Sequence, residues 1–390
     1  MSRLRYLTAG ESHGPALTGI MEGMPAGLPI TTDDIHADGR RRMMGYGRGN
    51  RMKIETDEVK ILAGVRRGET IGSPISLYIE NRDHEKWLEV MTAEPREGEA
   101  ARAVYIPRPG HTDRVGGLKY NRADMRDILE RASARETAMR VALGAVARKL
   151  LTELGIAIAS RVVRIGEVVD ETPLDADIPT LNARADQSPV RVLDPNAAER
   201  IMKNIDAAKA DGDTLGGVFE VVAGGVPIGI GSHAQWDRRM DGRIGEAFLA
   251  LNAIKGVELG LGFRGSALPG SAVHDAYFPG EGGSLTKYGS NRAGGIEGGI
   301  TTGQPIVVRV AMKPISTLMK PLPSVDLRTG EATNAYIERS DVCAVPAAAV
   351  IGESLLALVL ADALLETFPG DTLALLRDYV GAWRERIRAR

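Results

Sequence analysis

Cysteine is almost missing from this 390-residue chain: Cys343 stands alone, so no internal disulfide can form. Spacings of the CxxC or HExxH kind are absent as well, and no metal site is expected. No GxxxxGK[ST] run occurs, which sets aside a P-loop. The start, Met1-Ser-Arg-Leu-Arg-Tyr6, lacks the apolar core of a secretory signal, so a reducing, cytoplasmic setting is expected. Aromatic residues make up only 4% and the net charge is −2, which leaves neither stacking platforms nor a basic face for nucleic acid, and no overall attraction to an acidic membrane. The most apolar stretch, Ala344 to Leu365, is interrupted by Pro346, Glu353 and Asp362, too costly for a bilayer, and reads as a core helix. Linkers, low-complexity tracts and fixed-period repeats are missing too. With 43% hydrophobic residues to build a core, residues 1–390 are expected to form one large domain.

Local charge is another matter. Between Gly39 and Ile54 lie Arg40, Arg41, Arg42, Arg48, Arg51 and Lys53 with no acidic residue, among three glycines, which reads as a flexible cationic loop. Thr31-Thr-Asp-Asp34 has the hydroxyl and early acids of a helix start, and that helix is expected to carry the triple arginine outward. Strands are expected within Lys53 to Asn81. Apolar residues at helical spacing predict one continuous helix from Asp124 to Leu154. Further helices are predicted over Pro195–Ala210, Arg239–Ile254, Pro346–Thr367 and Thr372–Arg388. Strands are predicted over Val218–Ile230, folded into a hairpin at Gly224-Gly225, and over Pro305–Met312. Mixed elements without βαβ alternation indicate an α+β fold.

Several short motifs point to anion chemistry. Gly10-Glu-Ser-His13-Gly follows an apolar start and places an imidazole at a strand end; the bland alternative is a solvent-exposed turn. In Arg108-Pro-Gly-His111-Thr-Asp113 a tight turn sets a guanidinium beside an imidazole, a conflict that an anionic ligand between them would resolve. On the predicted helix Arg131 and Arg135 fall one turn apart with Ser133 turned away, either a solvated charge face or a small-residue turn that admits a flat cofactor. Gly280 to Gly303 holds nine glycines interleaved with Ile296 and Ile300, which suggests ordered backbone near a ligand rather than a linker. Lys313-Pro-Ile-Ser-Thr317 and Arg339-Ser-Asp341 add cations, hydroxyls and one candidate base. Gly260-Leu-Gly262-Phe-Arg-Gly265 fits GxGxxG, but Ser266-Ala-Leu-Pro269 follows where a helix is required, so it reads as a turn.

Taken in order, Gly10-Glu-Ser-His-Gly, Gly45-Tyr-Gly-Arg-Gly, Arg108-Pro-Gly-His-Thr-Asp, Ser133-Ala-Arg-Glu-Thr, Asn252-Ala-Ile-Lys-Gly-Val-Glu, Gly294-Gly-Ile-Glu-Gly-Gly-Ile-Thr and Arg339-Ser-Asp-Val-Cys-Ala-Val-Pro closely resemble the chorismate synthase family, from Tyr6 to the helix beyond Pro346. The resemblance implies a β-α-β sandwich-like α+β domain, a homotetramer, and reduced FMN held beside 5-enolpyruvylshikimate 3-phosphate. It implies His13 and His111 as proton-handling residues, Asp341 as base at flavin N5, and Ser12 and Ser133 as hydrogen-bond links. Arg42, Arg48, Arg51, Arg108, Arg135 and Arg339 match positions that grip substrate phosphate and carboxylates. Arg131, Ala132, Ser133, Asn252, Ala253, Gly298, Lys313, Pro314, Ile315, Ser316, Thr317 and Arg339 match the flavin pocket. Ala132, Ala134 and Ser340-Asp-Val342 depart from the commoner residues without removing a charged group.

The reaction so implied removes phosphate and a ring hydrogen across a 1,4 relationship. No carbonyl acidifies that hydrogen, which is the physical case for a redox cofactor in a lyase. A flavin oxidoreductase fed by NADP(H) is the first alternative, though no nicotinamide fingerprint is present and an external flavin reductase is expected to supply the reduced FMN. Nucleic-acid binding through the Arg40–Lys53 loop is the second. That loop is also expected to close as a lid from Gly45 to Asn50 when an anion draws its arginines together.

Overall fold

Residues 16–22 alternate buried Leu17, Gly19 and Met21 with exposed Thr18, Ile20 and Glu22, the period-2 signature of a strand with one face on a core. The computed structural model of the protein describes residues 3–49, 54–98, 100–174, 177–280, 286–338 and 340–388. Its first sheet joins β1 (Arg5–Ala9), β2 (Ala16–Glu22), β3 (Val59–Ala63) and β4 (Ile75–Glu80) in the antiparallel order β1-β2-β4-β3. The second contains β5 (Ala157–Ile165), β6 (Gly217–Gly224), β7 (Ile254–Leu259) and β8 (Ile306–Met312) in the order β7-β8-β6-β5, with the short Val168–Val169 strand beyond β5.

The helices are α1 (Thr32–Met43), α2 (Asp113–Tyr120), α3 (Arg126–Ala132), α4 (Thr137–Glu153), α5 (Ile178–Ala185), α6 (Pro195–Ala210), α7 (Met240–Leu249), α8 (Val345–Thr367) and α9 (Leu373–Arg388). The first sheet packs on α4 and the second on α8, while α4 and α8 pack on each other, giving helices between two sheets. Helix α8 is long and apolar enough to cross a membrane, yet 94% of its most apolar window is buried. A helix apolar all round is the one a sandwich can cover on every side.

Glycine sets the closest approaches in this stack. A Cβ on Gly352 of α8 would fall 2.9 Å from both Phe219 and Val221 of β6, and one on Gly144 of α4 would fall 2.3 Å from the Ser354 Cβ of α8. At the same level Glu353, fully buried, accepts from Arg41 at 2.7 and 2.8 Å, from Arg148 at 2.6 Å and from Asn182 at 3.2 Å. Burial pulls the Glu353 carboxyl up, but the surrounding guanidiniums outweigh burial and hold it well below the carboxylate range.

Several sequence expectations change. The capping box at Thr31 and Asp34 forms as the sequence suggests, but of the triple arginine only Arg40 points to solvent; Arg41 turns in to Glu353 and Arg42 is 3% exposed. The helix expected over Asp124–Leu154 breaks at Ser133, whose φ of −64° and ψ of 143° are extended. Among the described residues no strand returns after Gly225 to pair with β6, which pairs instead with β5 and β8. Helix α7 stops at Leu249, so that Ile254 can begin β7. One helical turn does follow Gly260, at Gly262–Gly265, too short to gather backbone dipoles on an anion.

Replacing Gly144 with alanine tests the helix–helix contact. Alanine is worth roughly 1 kcal/mol to a helix, whereas overpacking costs about 1–3 kcal/mol, so Gly144→Ala is expected to lower stability in urea unfolding. An unchanged or raised midpoint would show that α4 and α8 can separate without loss.

Candidate active site

Strand β1 ends at Ala9, and the following turn is pinned by Asn81, whose Nδ2 donates to the carbonyls of Glu11 at 3.1 Å and Gly14 at 2.8 Å. His13 therefore projects from a fixed turn. Its backbone N–H donates to Glu130 Oε2 at 2.8 Å and its Nδ1 lies 2.9 Å from Glu130 Oε1, while the ring stacks on Trp87 at 4.0 Å and 22°. Arg126 Nη1 donates to the same carboxylate at 2.9 Å. Burial raises the Glu130 carboxyl, but the hydrogen bonds from His13 and the charges of His13 and Arg126 bring it below its ordinary value.

Arg108-Pro-Gly-His111 is a tight turn closed by His111 N–H to Arg108 O at 3.1 Å, with Gly110 at φ +80°, a conformation that suits glycine after proline. The anion between Arg108 and His111 is internal. Fully buried Asp113 receives Arg108 Nε at 2.8 Å and Nη2 at 3.1 Å, and lies 2.5 Å from His111 Nδ1. Arg108 Nη2 also sits 3.1 Å from His111 Nδ1, but one nitrogen cannot donate to Asp113 and accept from Arg108 together; the shorter contact, to a carboxylate, decides for donation. Burial pulls Asp113 up, yet the hydrogen bonds and charges of His111 and Arg108 hold it far below the carboxylate range.

The break at Ser133 sends its neighbouring arginines opposite ways. Arg131 donates to Thr8 O at 2.9 Å and Gly10 O at 3.1 Å, serving as a strut for β1, and does not line the cleft. Arg135 turns to Asn81 Oδ1 at 2.9 Å, Glu55 at 3.3 Å and Asp57. Arg42 joins them through Asp57 at 3.1 Å and Thr137 Oγ1 at 3.0 Å; burial pushes its guanidinium down to about 10, still charged at neutral pH. Ser133 itself faces the cleft, where Ser12 Oγ donates to Ser133 Oγ at 3.1 Å, and Asn252 Nδ2 donates to Ala132 O at 2.8 Å.

All of this surrounds a cleft of ≈ 820 Å³. Its lining brings together Ser12, His13, Arg42, Arg48, Arg108, His111, Ala132, Ser133, Arg135, Asn252, Ala253, Lys313, Ile315, Ser316, Thr317 and Asp341. Among the described residues six basic side chains line it, Lys209 joining the five expected cations, with Asp206, Glu338 and Asp341 on the same lining and Glu55, Asp57 and Asp113 pairing Arg135, Arg42 and Arg108 from behind it. Asp341 accepts from Gly49 N at 2.6 Å and pairs with Arg48 at 3.3 Å. Lys313 Nζ donates to Gly110 O at 2.7 Å, and Ala253 adopts φ +66°, a left-handed strain of the kind found where a ligand is held. Pro314 is not on the lining, nor is Gly298, which turns the Ile296–Glu297/Ile300–Thr301 hairpin; of the described glycines in this stretch, Gly294 packs on the backbone of Gly260 and Gly295 on that of Pro305. Arg51 and Arg339 lie outside the described residues. Among the described residues no group of three or more His, Cys, Asp or Glu side chains is placed to hold a metal ion.

Residues 45–49 are held at several points: Tyr46 N–H donates to Pro189 O at 2.8 Å, its hydroxyl to Asp206 at 2.9 Å, and Val342 N–H to Gly47 O at 2.8 Å. The lid expected over Gly45–Asn50 is thus anchored across 45–49. Sequence reasoning missed Asp206, Lys209, Glu338 and Trp87, which have no local motif, and gave Glu130 and Asp113 no role.

The chorismate synthase family model matches residues 4–365. Chorismate synthase of Moorella thermoacetica is 56% identical over 387 residues, covering 99% of each chain, and a chorismate synthase 1 of Bacillus cereus is 52% identical over 389 residues, covering 99% of this chain and 100% of that one. A solved structure described as a crystal structure of chorismate synthase superposes with a TM-score of 0.81 at 44% identity over 99% of both chains. The α+β fold and these matches define a carbon–oxygen lyase that acts on phosphates. The chain belongs to the chorismate synthase family, whose enzymes serve aromatic amino-acid biosynthesis.

Asp113 has a folded-state value below its ordinary 3.8, so the stability it lends is complete above that pH and is lost as pH falls through the lower folded value. Asp113→Asn removes this dependence. Unfolding free energy followed by urea titration from about pH 5 downwards should fall less steeply in the variant; equal slopes would show that Asp113 is not specially stabilised as a carboxylate.

Proposed function

We propose that this enzyme converts 5-enolpyruvylshikimate 3-phosphate to chorismate by anti-1,4-elimination of phosphate and a ring hydrogen, with reduced FMN bound and no net redox change, in one catalytic domain spanning residues 1–390. This is the last shared step of the shikimate pathway. The observation that carries the reading is that His13, His111 and Asp341, remote in sequence, line one cleft together with six basic side chains.

The cleft suits a flavin and a small acid together. Its volume of ≈ 820 Å³ lies toward the upper end of ligand pockets, about 300–1,000 Å³. Asn252, Lys313, Ser316 and Thr317, all on the lining, would supply hydrogen-bond donors to hold the cofactor. When bound, reduced FMN supplies electron density to the allylic ring and recovers it, so the elimination is redox-neutral.

The chain's own residues handle charge and protons. As phosphate departs, negative charge grows where a protonated His13 donates from Nε2, with Arg48 on the same cleft; these interactions are stronger against the transition state than against the ground state. Glu55 and Asp57 balance the charges of Arg42 and Arg135, so these two arginines act mainly by fixing the wall of the cleft. Ser12 and Ser133 link the His13 turn to the break that lines the cofactor wall. His111 would manage a proton on the side of the cleft that would hold the flavin, and Asp341, held by Gly49 N–H and Arg48, would serve as the base there. We further propose a cytoplasmic homotetramer fed by an external flavin reductase; exposed Leu7, Trp236 and Phe263, 77–79% accessible, support contact with further copies.

Anaerobic incubation with dithionite-reduced FMN and the enolpyruvyl phosphate should yield chorismate, followed by its absorbance, with no reductant consumed per turnover. Stoichiometric NADPH use would instead indicate an oxidoreductase. His13→Ala at saturating flavin should lower turnover on the order of 10²-fold or more; full activity in that variant would remove His13 from the mechanism.

A further inference from the structure

We infer that Glu130 and Asp113 are positioning residues, each clamped by a buried arginine, that fix His13 and His111 in the same tautomer so that both present Nε2 to the cleft. This rests on the reading of the two histidines as proton carriers.

The argument begins with a repetition. His13 and His111 come from different loops, and their carboxylates from different helices, α3 and α2. Yet each ring meets its carboxylate through Nδ1, at 2.9 Å for Glu130 and 2.5 Å for Asp113. Both acids lie behind the cleft, at 2% and 0% exposure, and neither lines it. Each is held by a guanidinium: Arg126 at 2.9 Å on Glu130, Arg108 at 2.8 and 3.1 Å on Asp113. Arg126 and Arg108 are themselves buried, at 3% and 7% exposure.

A buried acid needs only its arginine to be neutralised. The additional contact to a histidine at a cleft wall is therefore not explained by charge balance. An ionised carboxylate accepts and cannot donate, so it draws the proton of a neutral imidazole to Nδ1 and stabilises the ring when protonated. The arginine keeps that carboxylate ionised and fixes its plane. Orientation is fixed as well, since the same carboxylate binds the backbone N–H of His13 at 2.8 Å and Trp87 covers one face of the ring. On the other side, Arg108 N–H also donates to Asp113, at 3.1 Å. Arg108 consequently belongs to the His111 relay, and its free reach toward a substrate phosphate is spent on Asp113 and Thr317.

The test uses the full-length enzyme with ¹⁵N-labelled histidine, and the variants Glu130→Gln, Asp113→Asn and His13→Ala. In wild-type protein at a pH where the rings are neutral, His13 and His111 should carry their proton on Nδ1; an Nε2–H form at either would overturn the inference without any variant having to fold. Glu130→Gln and Asp113→Asn should lower kcat roughly 10²-fold or more, as loss of an orienting carboxylate does in a histidine triad, with KM changed little and the tautomer signal lost. Folded variants with wild-type kcat would overturn the inference even while His13→Ala is inactive. Full turnover in His13→Ala would overturn the inference and the underlying reading together.

Discussion

Collecting cations in one partly buried cleft is the constraint from which much of this structure follows. Two like charges 4 Å apart repel by about 4 kcal/mol at an effective dielectric of 20, and burying them unpaired would cost more. The fold answers with carboxylates set around or behind the wall: Glu55 and Asp57 for Arg42 and Arg135, Asp113 for Arg108, Asp341 for Arg48. The same solution recurs in the core, where Glu353 gathers Arg41, Arg148 and Arg191. Several of these pairings also tie remote segments together, Arg48 to Asp341 and Arg41 and Arg148 to Glu353 among them, so the electrostatics of the protein and the docking of α1, α4 and α8 are one problem.

The break at Ser133 shows how this constraint overrides local preference. Residues 124–154 have helical periodicity and few helix breakers, and an isolated segment would favour one long helix. In the folded chain Ser133 is extended and caps a short turn, accepting from Arg135 N–H at 3.3 Å. What offsets the lost helical hydrogen bonds is that Arg135 then reaches Glu55, Asp57 and Asn81, while Ser133 and the Ala132 carbonyl reach the cleft and Asn252. A continuous helix would have sent Arg131 and Arg135 the same way and closed this access.

Legibility in the sequence followed the range of the interaction. The capping box at Thr31, the Pro-Gly turn before His111, helix α6 and the apolar α8 were readable because the physics that forms each lies within a few residues. His13, His111 and Asp341 were readable as chemistry because their motifs carry it. The partners of His13 and Asp341 were not, since Glu130 is 117 residues from His13 and Gly49 is 292 from Asp341, whereas Asp113 lies only two residues from His111, within its motif. Arg131 and Gly298, expected at the flavin pocket, serve β1 and a hairpin turn in the chain as folded.

The amino-acid sequence by itself determined the α+β class, most helix and strand locations, the family, and which side chains have the chemistry for an anionic substrate. The first two and the last reside in periodicity, turn chemistry and residue type, and the family in the resemblance of its ordered motifs; none of these needs a third dimension. Only the tertiary structure decided which arginine meets which carboxylate, which nitrogen of each histidine meets its carboxylate, and where the long helix gives way. These depend on desolvation and on close contacts between residues far apart along the chain, and no local pattern encodes such contacts.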